Sequence, residues 1–303
     1  MDFTLSDEQN MLLDSFRRFL ESELRPVADR TRDTYIEKPE ALAIQKQLIP
    51  FGVVNGMVPE SMGGMDLDLV TYGMLMHELA RVSPDIAITT QIFGLSAKMM
   101  KITPPHLKEQ YLGPLMACEK VASIALSEPD VGSDLSAVKL RARLDGDQYV
   151  LNGEKTWISS GGYSDFIYCL ARFQGGEQEG LGVILVDRSH GYETANLNKT
   201  ALNSQSTAQV FFQDVRVPAS NMVVQPPKAL PALFELLSMS RPIVGLMALG
   251  VARAALDEAI TYAKERVQFG APIASKQMVQ EKIAVMATKL EAGLLLCYRA
   301  LEK

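Results

Sequence analysis

The sequence has few of the residues that mark disulfide-rich or metal-binding proteins. It contains three cysteines, three histidines and one tryptophan among its 303 residues. Cys118, Cys169 and Cys297 are odd in number and far apart, which argues against a disulfide framework or a zinc site and favours a reducing interior. The histidines are scattered and none has a second ligand at helical spacing, so we predict no metal site.

The sequence also lacks basic blocks and apolar runs of bilayer length. Its net charge is -6 and its pI is about 5.3, so nucleic acid is not the expected partner. Charged residues interrupt every apolar stretch before it could span a membrane. The first eight residues are acidic where a secretory signal would be positively charged. We therefore expect a cytoplasmic protein with no membrane span.

The composition and the changes in periodicity predict a globular α+β protein of three domains. The chain is 47% hydrophobic and 22% charged, and it is too long for one small core. Apolar residues recur at helical spacing in the first part, where Ser6 and Gln9 form a capping-box pattern. Short segments rich in Val, Ile, Phe and Tyr follow, and helical spacing returns at Pro231.

We predict a helical domain over residues 1–119, a middle β-domain over 120–225 and a helical domain over 226–303. Because strands and helices do not alternate, the β-domain is predicted to be a barrel or sandwich of short antiparallel strands. The predicted strands cover residues 147–151, 165–172, 181–187 and 208–217. The predicted C-terminal helices cover residues 231–266, with a kink at Pro242, and residues 276–302.

Residues 124–134, Ile-Ala-Leu-Ser-Glu-Pro-Asp-Val-Gly-Ser-Asp, form the first informative motif. Ser127 follows an apolar run, and Gly132 stands beside a second hydroxyl, Ser133. Hydroxyl and backbone N–H donors on a loop with a glycine suit a polar ring edge and a phosphate. The bland interpretation of such a segment is a plain turn with a helix N-cap.

Residues 152–159, Asn-Gly-Glu-Lys-Thr-Trp-Ile-Ser, form the second motif. Asn152-Gly153 predicts a hairpin turn. Trp157, the only tryptophan, stands near the hydroxyl donor Ser159. A flat side chain beside a hydroxyl suits the face and edge of an aromatic cofactor, although a lone tryptophan would more often belong to the core.

Together the two motifs resemble the flavin-binding middle domain of the acyl-CoA dehydrogenases, whose pattern is Thr/Ser-Glu-Pro-x-x-Gly-Ser-Asp followed by Asn-Gly-x-Lys-x-Trp-Ile-Thr/Ser. The resemblance runs from Phe3 to the last residue and is strongest over 121–161, 208–218 and 253–277. It implies the family's order of helices, β-domain and helices, and FAD as the cofactor. The residues implied to contact FAD from the middle domain are Leu126, Ser127, Gly132, Ser133, Trp157, Ile158 and Ser159.

The segment Glu265-Arg266-Val267-Gln268-Phe269-Gly270 resembles the part of the family that reaches the flavin of a neighbouring chain. Arg266 matches the arginine on the flavin pyrophosphate, a role that suits its planar fork of donors. Gln268, Phe269 and Gln277 belong to the same match, although Gln277 alone fits a solvated helix end equally well. Each complete site would then need two chains, which implies a homo-oligomer, a dimer or a tetramer.

Ser133, Ser240 and Arg241 match positions at the substrate, although Arg241 fits helix packing near Pro242 equally well. In the family a carboxylate removes the α-proton of an acyl-CoA, the flavin accepts a hydride, and the trans-2-enoyl-CoA is released. The electrons pass to an electron-transfer flavoprotein. The loop residues Glu128, Pro129 and Asp134 are expected to shape the site and not to react.

The sequence departs from the family at the catalytic base, which is therefore unassigned. Many members carry that Glu in a segment that would follow Lys303, and a minority place it directly before the arginine, where this chain has Ser240. Glu235 is five residues earlier on the same predicted helix, about 140° away at roughly 100° per residue, and is a poor substitute. Three interpretations stay open: an acyl-CoA dehydrogenase, a non-catalytic or half-site subunit of a heteromeric dehydrogenase, and a flavin oxidase or monooxygenase on this scaffold.

Overall fold

The computed structural model describes residues 4–176 and 179–303. Helices come first, a β-sheet follows, and two long helices complete the chain. The predicted helical domain includes residues 1–3, and the family resemblance begins at Phe3; these residues lie outside the described part of the chain.

The helices begin and end close to the predicted positions. The Ser6 hydroxyl accepts a hydrogen bond from the Gln9 backbone N–H, and the Gln9 side chain accepts one from the Ser6 backbone N–H, so the predicted capping box is present. The last two helices, predicted over 231–266 and 276–302, lie within one or two residues of those limits. The helices are α1 Asp7–Phe19, α2 Arg25–Thr31, α3 Lys38–Leu48, α4 Leu69–Val82, α5 Pro84–Met99, α6 Pro105–Met116, α7 Ala229–Glu265 and α8 Gln277–Glu302.

Within the described residues, eight strands form one mixed sheet and two short strands form a separate hairpin. The sheet contains β1 Ala122–Ala125, β2 Arg141–Asp145, β3 Gln148–Ser159, β4 Phe166–Gln174, β5 Gly180–Asp187, β6 Glu193–Asn196, β7 Thr207–Pro218 and β8 Met222–Val224. The hairpin contains β9 Val267–Gln268 and β10 Ala271–Pro272. The strand order is β6-β7-β3-β2-β4-β5-β8, and β1 also pairs with β4.

The sheet departs from the predicted antiparallel arrangement because β4 runs parallel to both β1 and β2. The other five pairings are antiparallel. The prediction of a hairpin turn at Asn152-Gly153 was wrong, since both residues lie inside β3. The turn is at Gly146-Asp147, between β2 and β3.

The core of the sheet lies around β4. Residues Phe166–Ala171 are all fully buried. Because successive side chains of a strand point to opposite faces, this unbroken burial shows that both faces of β4 are covered. Tyr111 of α6 packs against Phe166 with ring centroids 4.5 Å apart and the ring planes tilted by 40°. The hydroxyl of Thr103 lies 3.0 Å from that of Tyr168.

The chain divides into two compact units built from non-contiguous segments. The helical unit comprises the residues up to Arg30, Asp68–Ala87 and Met239–Lys303, and the sheet unit comprises Thr31–Leu67 and Ile88–Ser238. The predicted domain boundaries near residues 119 and 225 stay predictions. Across the described residues no helix combines the length and the apolar character needed to cross a membrane.

Candidate functional site

The first predicted site segment is the loop that follows β1. Ser127 is half-buried, and Gly132 and Ser133 are exposed. A Cβ atom built on Gly132 would meet no other atom within 4 Å, and the φ angle of Gly132 lies outside the left-handed region. Neither backbone conformation nor internal crowding therefore requires glycine at this position.

A buried carboxylate closes this loop. Glu128 accepts hydrogen bonds from the backbone N–H of Lys139 at 2.7 Å and of Leu140 at 2.9 Å. The backbones of Glu128 and Val131 also exchange two hydrogen bonds, at 2.9 and 3.1 Å. These contacts hold both ends of the segment that carries Gly132 and Ser133, so Glu128 shapes the loop.

The ammonium group of Lys155 fastens the loop to β3. The Lys155 side chain is fully buried and donates to the Glu128 carboxylate and to the Leu126 carbonyl, both at 2.9 Å. The backbone N–H of Thr156 donates to the Ser127 carbonyl at 3.0 Å. The two sequence motifs are thus joined by direct hydrogen bonds. We refer to Leu126, Glu128 and Lys155 with these bonds as the loop clamp.

Trp157 lies on a β-bulge that turns its side chain toward solvent. Lys155 pairs with Val210 and Ile158 pairs with Ala208, so β3 has one residue more than β7 over this interval. Trp157 has a φ of +62° and is 64% exposed. A left-handed conformation is costly for a bulky residue, and bulges and such strain concentrate at functional sites.

The two residues after Trp157 differ in how they can meet a ligand. Ile158 is 2% exposed, so its side chain belongs to the core and only its backbone can contact a bound molecule. Ser159 is half-buried, and its carbonyl accepts a hydrogen bond from the Ser123 hydroxyl at 2.9 Å. This bond joins β1 to the end of β3.

The remaining predicted cofactor contacts lie in the helical unit, at the β9–β10 hairpin and the start of α8. Arg266, Gln268 and Gln277 are exposed. Phe269 forms the hairpin tip with Gly270, is 96% exposed, and has a φ of +54°. The Lys276 ammonium lies 5.9 Å from the centroid of its ring. A fully exposed phenylalanine on a tight turn presents apolar surface outward.

The predicted substrate residues on α7 differ in exposure. Ser240 is buried, whereas Arg241 is exposed. Glu235, also on α7, is exposed. Sequence reasoning did not single out Lys155. The strand predicted before it ended at residue 151, and the burial that forces its ammonium group to find acceptors is seen only in the fold.

Comparison with known families assigns all three parts of the chain. Residues 6–119 match the N-terminal domain of acyl-CoA dehydrogenases, residues 123–215 the middle domain and residues 230–303 the C-terminal domain. A glutaryl-CoA dehydrogenase of Desulfococcus multivorans is 33% identical over 308 residues, covering 99% of this chain and 78% of the relative. A benzylmalonyl-CoA dehydrogenase of Aromatoleum aromaticum is 36% identical over 306 residues, covering 99% and 80%.

Solved structures of acyl-CoA dehydrogenases support the same assignment. A glutaryl-CoA dehydrogenase in complex with glutaryl-CoA superposes with a TM-score of 0.91 at 32% identity, covering 99% of this chain and 78% of that one. An acyl-CoA dehydrogenase from Bacillus anthracis complexed with FAD superposes with a TM-score of 0.88 at 29% identity, covering 98% and 51%. The chain belongs to the acyl-CoA dehydrogenase family.

Proposed function

We propose that this chain binds FAD at the loop after β1 and the bulge of β3, as a member of a family that includes FAD-complexed structures. The observation that carries the proposal is Gly132, a glycine that neither its own backbone nor its neighbours require. Close approach of a ligand is the remaining physical reason for it. The exposed Trp157, held in a strained conformation, supplies an aromatic surface beside this loop.

The donor set fits a flavin. Ser127 and Ser133 offer hydroxyl groups, and the Gly132 backbone can approach a phosphate or a ring edge without a side chain in the way. The Trp157 indole is suited to packing on an aromatic ring system. FAD, when bound, supplies the capacity to accept a hydride. The residues of this chain orient it and exclude water.

We propose that the reaction is the α,β-dehydrogenation of an acyl-CoA thioester to a trans-2-enoyl-CoA, with an electron-transfer flavoprotein as the acceptor. Ser133 and Arg241 are the proposed substrate contacts. Arg266, Gln268, Phe269 and Gln277 are proposed to reach the flavin of a second copy. The support for that contact is the hairpin tip, where Phe269 is almost entirely exposed.

The test is reconstitution followed by anaerobic reduction. The purified chain, stripped of flavin, is titrated with FAD and then mixed with acyl-CoAs of different chain length. Saturable binding of about one FAD per chain and bleaching of the flavin absorbance by acyl-CoA support the proposal. A chain that is folded by circular dichroism but does not bind FAD contradicts it.

We keep as a second candidate function that of a half-site subunit, in which position 240 supplies no base. A serine hydroxyl is a far weaker base than a carboxylate at neutral pH, and this position is one of the two that the family uses for its Glu. A half-site subunit would bind FAD but leave it oxidised when acyl-CoA is added. Mixing it with a complete family member would restore the bleaching.

A further inference from the structure

The loop clamp places an ion pair inside the protein beside the candidate flavin site. The Lys155 side chain is fully buried and that of Glu128 is 5% exposed, with 2.9 Å between the ammonium nitrogen and Oε1. Besides their ion pair, both groups bind backbone of the loop: Lys155 donates to the Leu126 carbonyl, and Glu128 accepts from the Lys139 and Leu140 N–H groups.

A buried ion pair is rarely the most stable solution for a core. The cost of removing two charges from water is often as large as their attraction, and apolar replacements of the same size are often as stable. Stability alone therefore does not explain why a fully buried lysine occupies this strand position. An apolar pair could not accept the hydrogen bonds from the two N–H groups, and it could not donate one to the Leu126 carbonyl.

We propose that Lys155 and Glu128 are positioning residues that hold the Leu126–Ser133 segment against the flavin and balance each other's charge so that the flavin keeps its reduction potential. The inference rests on the proposed function, since it concerns the same site. Lys155 acts through the Leu126 carbonyl, one peptide unit before Ser127. Glu128 acts through the N–H groups that close the far end of the loop.

Replacing Lys155 and replacing Glu128 should shift the flavin reduction potential in opposite directions. Lys155→Met leaves the Glu128 carboxylate unbalanced, and Glu128→Gln leaves the Lys155 ammonium unbalanced. A flavin gains negative charge when it is reduced, and a low-dielectric interior screens nearby charges poorly. Lys155→Met should therefore lower the reduction potential and Glu128→Gln should raise it. The double variant, which is neutral, should return toward the parent value.

The experiment compares these three variants with a matched exposed pair of the same sheet. Arg216 and Asp145 lie 2.9 Å apart, with side chains 55% and 44% exposed. Arg216→Met and Asp145→Asn remove the same charges in solvent. FAD dissociation constants are measured by flavin fluorescence, and midpoint potentials by dye-coupled reduction at saturating FAD. We expect each single clamp variant to bind FAD roughly tenfold more weakly, and the exposed-pair variants to match the parent.

Opposite shifts in potential that cancel in the double variant support the inference. Shifts in one direction, or none at full FAD loading, overturn it while leaving the proposed function in place. A parent chain that binds no FAD overturns both. If Lys155→Met does not fold, Glu128→Gln and the double variant carry the test. A potential for Glu128→Gln that is not above that of the double variant then overturns the inference.

Discussion

Two glycines near the site differ in why the chain needs them. Gly153 has a φ of +139°, and a Cβ built there would approach Leu140 Cδ1 to 2.9 Å. The fold itself therefore requires that glycine. Gly132 has ordinary backbone geometry and open space around it. The structure of the chain itself does not require glycine at this position, and this separates Gly132, as a proposed binding residue, from the structural Gly153.

Gly132→Ala is expected to leave the folded chain intact while weakening FAD binding. With no strain to relieve or create, the free energy of unfolding should change by less than about 0.5 kcal/mol, or rise slightly. The added methyl group should weaken FAD by roughly tenfold, since overpacking costs about 1–3 kcal/mol. Urea unfolding and FAD titration measure the two effects.

Gly153→Ala is the control. It should affect mainly the free energy of unfolding, whereas Gly132→Ala should affect mainly FAD affinity. Forcing a side chain into its left-handed conformation and against Leu140 should destabilise the chain by about 1–3 kcal/mol. Equal FAD affinity for Gly132→Ala and the parent would show that no ligand approaches Gly132 closely.

Trp157→Gly is predicted to stabilise the flavin-free chain. The tryptophan is 64% exposed and has a φ of +62°, so its removal loses little burial and relieves backbone strain. Because such strain costs about 1–3 kcal/mol, the gain should be of order 1 kcal/mol. FAD affinity should fall, because the aromatic surface is lost. A variant that is less stable and binds FAD as the parent does would contradict the assignment of Trp157.

At the scale of elements, a buried carboxylate joins α1 to α4. Glu78 of α4 accepts a hydrogen bond from Arg17 of α1 at 2.7 Å, and its side chain is 8% exposed. His77 and Arg81 lie within 3.7 Å of the same carboxylate. Burial alone would raise the pKa of Glu78, but hydrogen bonds from His77 and Arg17 outweigh it and lower the pKa to about 2.

This low pKa gives the stability a definite pH dependence. Above pH 4.5, the ordinary pKa of Glu, the carboxylate is ionised in both the folded and unfolded chain, and its contribution is fully present. Between pH 4.5 and about 2 the unfolded chain takes up the proton first, so stability falls as the pH falls. The window lies below neutral pH because the folded pKa is lowered, not raised.

Glu78→Gln is expected to lower the free energy of unfolding at pH 7 by about 1–3 kcal/mol, the usual worth of a hydrogen bond to a charged group. The difference from the parent should shrink as the pH falls from 4.5 toward 2. Urea unfolding at a series of pH values measures it. Asp14→Asn removes the exposed partner of Arg17, 3.5 Å away, and should cost less than about 0.5 kcal/mol. A constant difference across that pH range would contradict the pKa assignment.

The elements themselves were largely predictable from the sequence, because each signal is local. The capping box of Ser6 and Gln9 and the apolar spacing of α7 and α8 involve neighbours along the chain. The bulge at Trp157 was not predictable. It arises from the register between β3 and β7, whose paired residues are about fifty positions apart. The Asn-Gly signal failed for the same reason, since β3 pairs with β2 up to Asn152 and with β7 again from Gly153 onward.

At the scale of the whole molecule, the two motifs predicted which residues belong to one site, but they did not predict the hydrogen bonds that join them. The hydrogen bond from Lys155 to Glu128 joins positions 27 apart, and that from the Leu140 N–H to Glu128 joins positions 12 apart. Such contacts depend on the folded sheet, and the residue spacing of a helix or a strand does not predict them. The expectation that Glu128 shapes the loop agrees with the hydrogen bonds that its carboxylate accepts from Lys139 and Leu140, and the expectation that it does not react stays a prediction.

Ser240 gives the sharpest test of whether the chain can perform the proposed reaction alone. It is buried on α7, directly before the exposed Arg241. The family resemblance makes this one of two positions for the catalytic base, and a general base contributes roughly 10²–10⁴-fold to the rate. We therefore expect slow flavin reduction by acyl-CoA in the 303-residue chain, and a rate about 10²-fold or more higher in Ser240→Glu.

Stopped-flow absorbance under anaerobic conditions measures the rate with saturating FAD and a series of acyl-CoAs. Ser240→Gln is the matched control, because it adds nearly the same volume without a carboxylate and should stay as slow as the parent. Fast reduction by the parent would show that another carboxylate removes the α-proton. Glu235, five residues earlier on α7, would then be the first to replace, and Glu235→Gln would abolish the reduction if it were that base. Equal rates for Ser240→Glu and Ser240→Gln would show that position 240 does not face the α-carbon, because a carboxylate within reach of that proton must act differently from an amide.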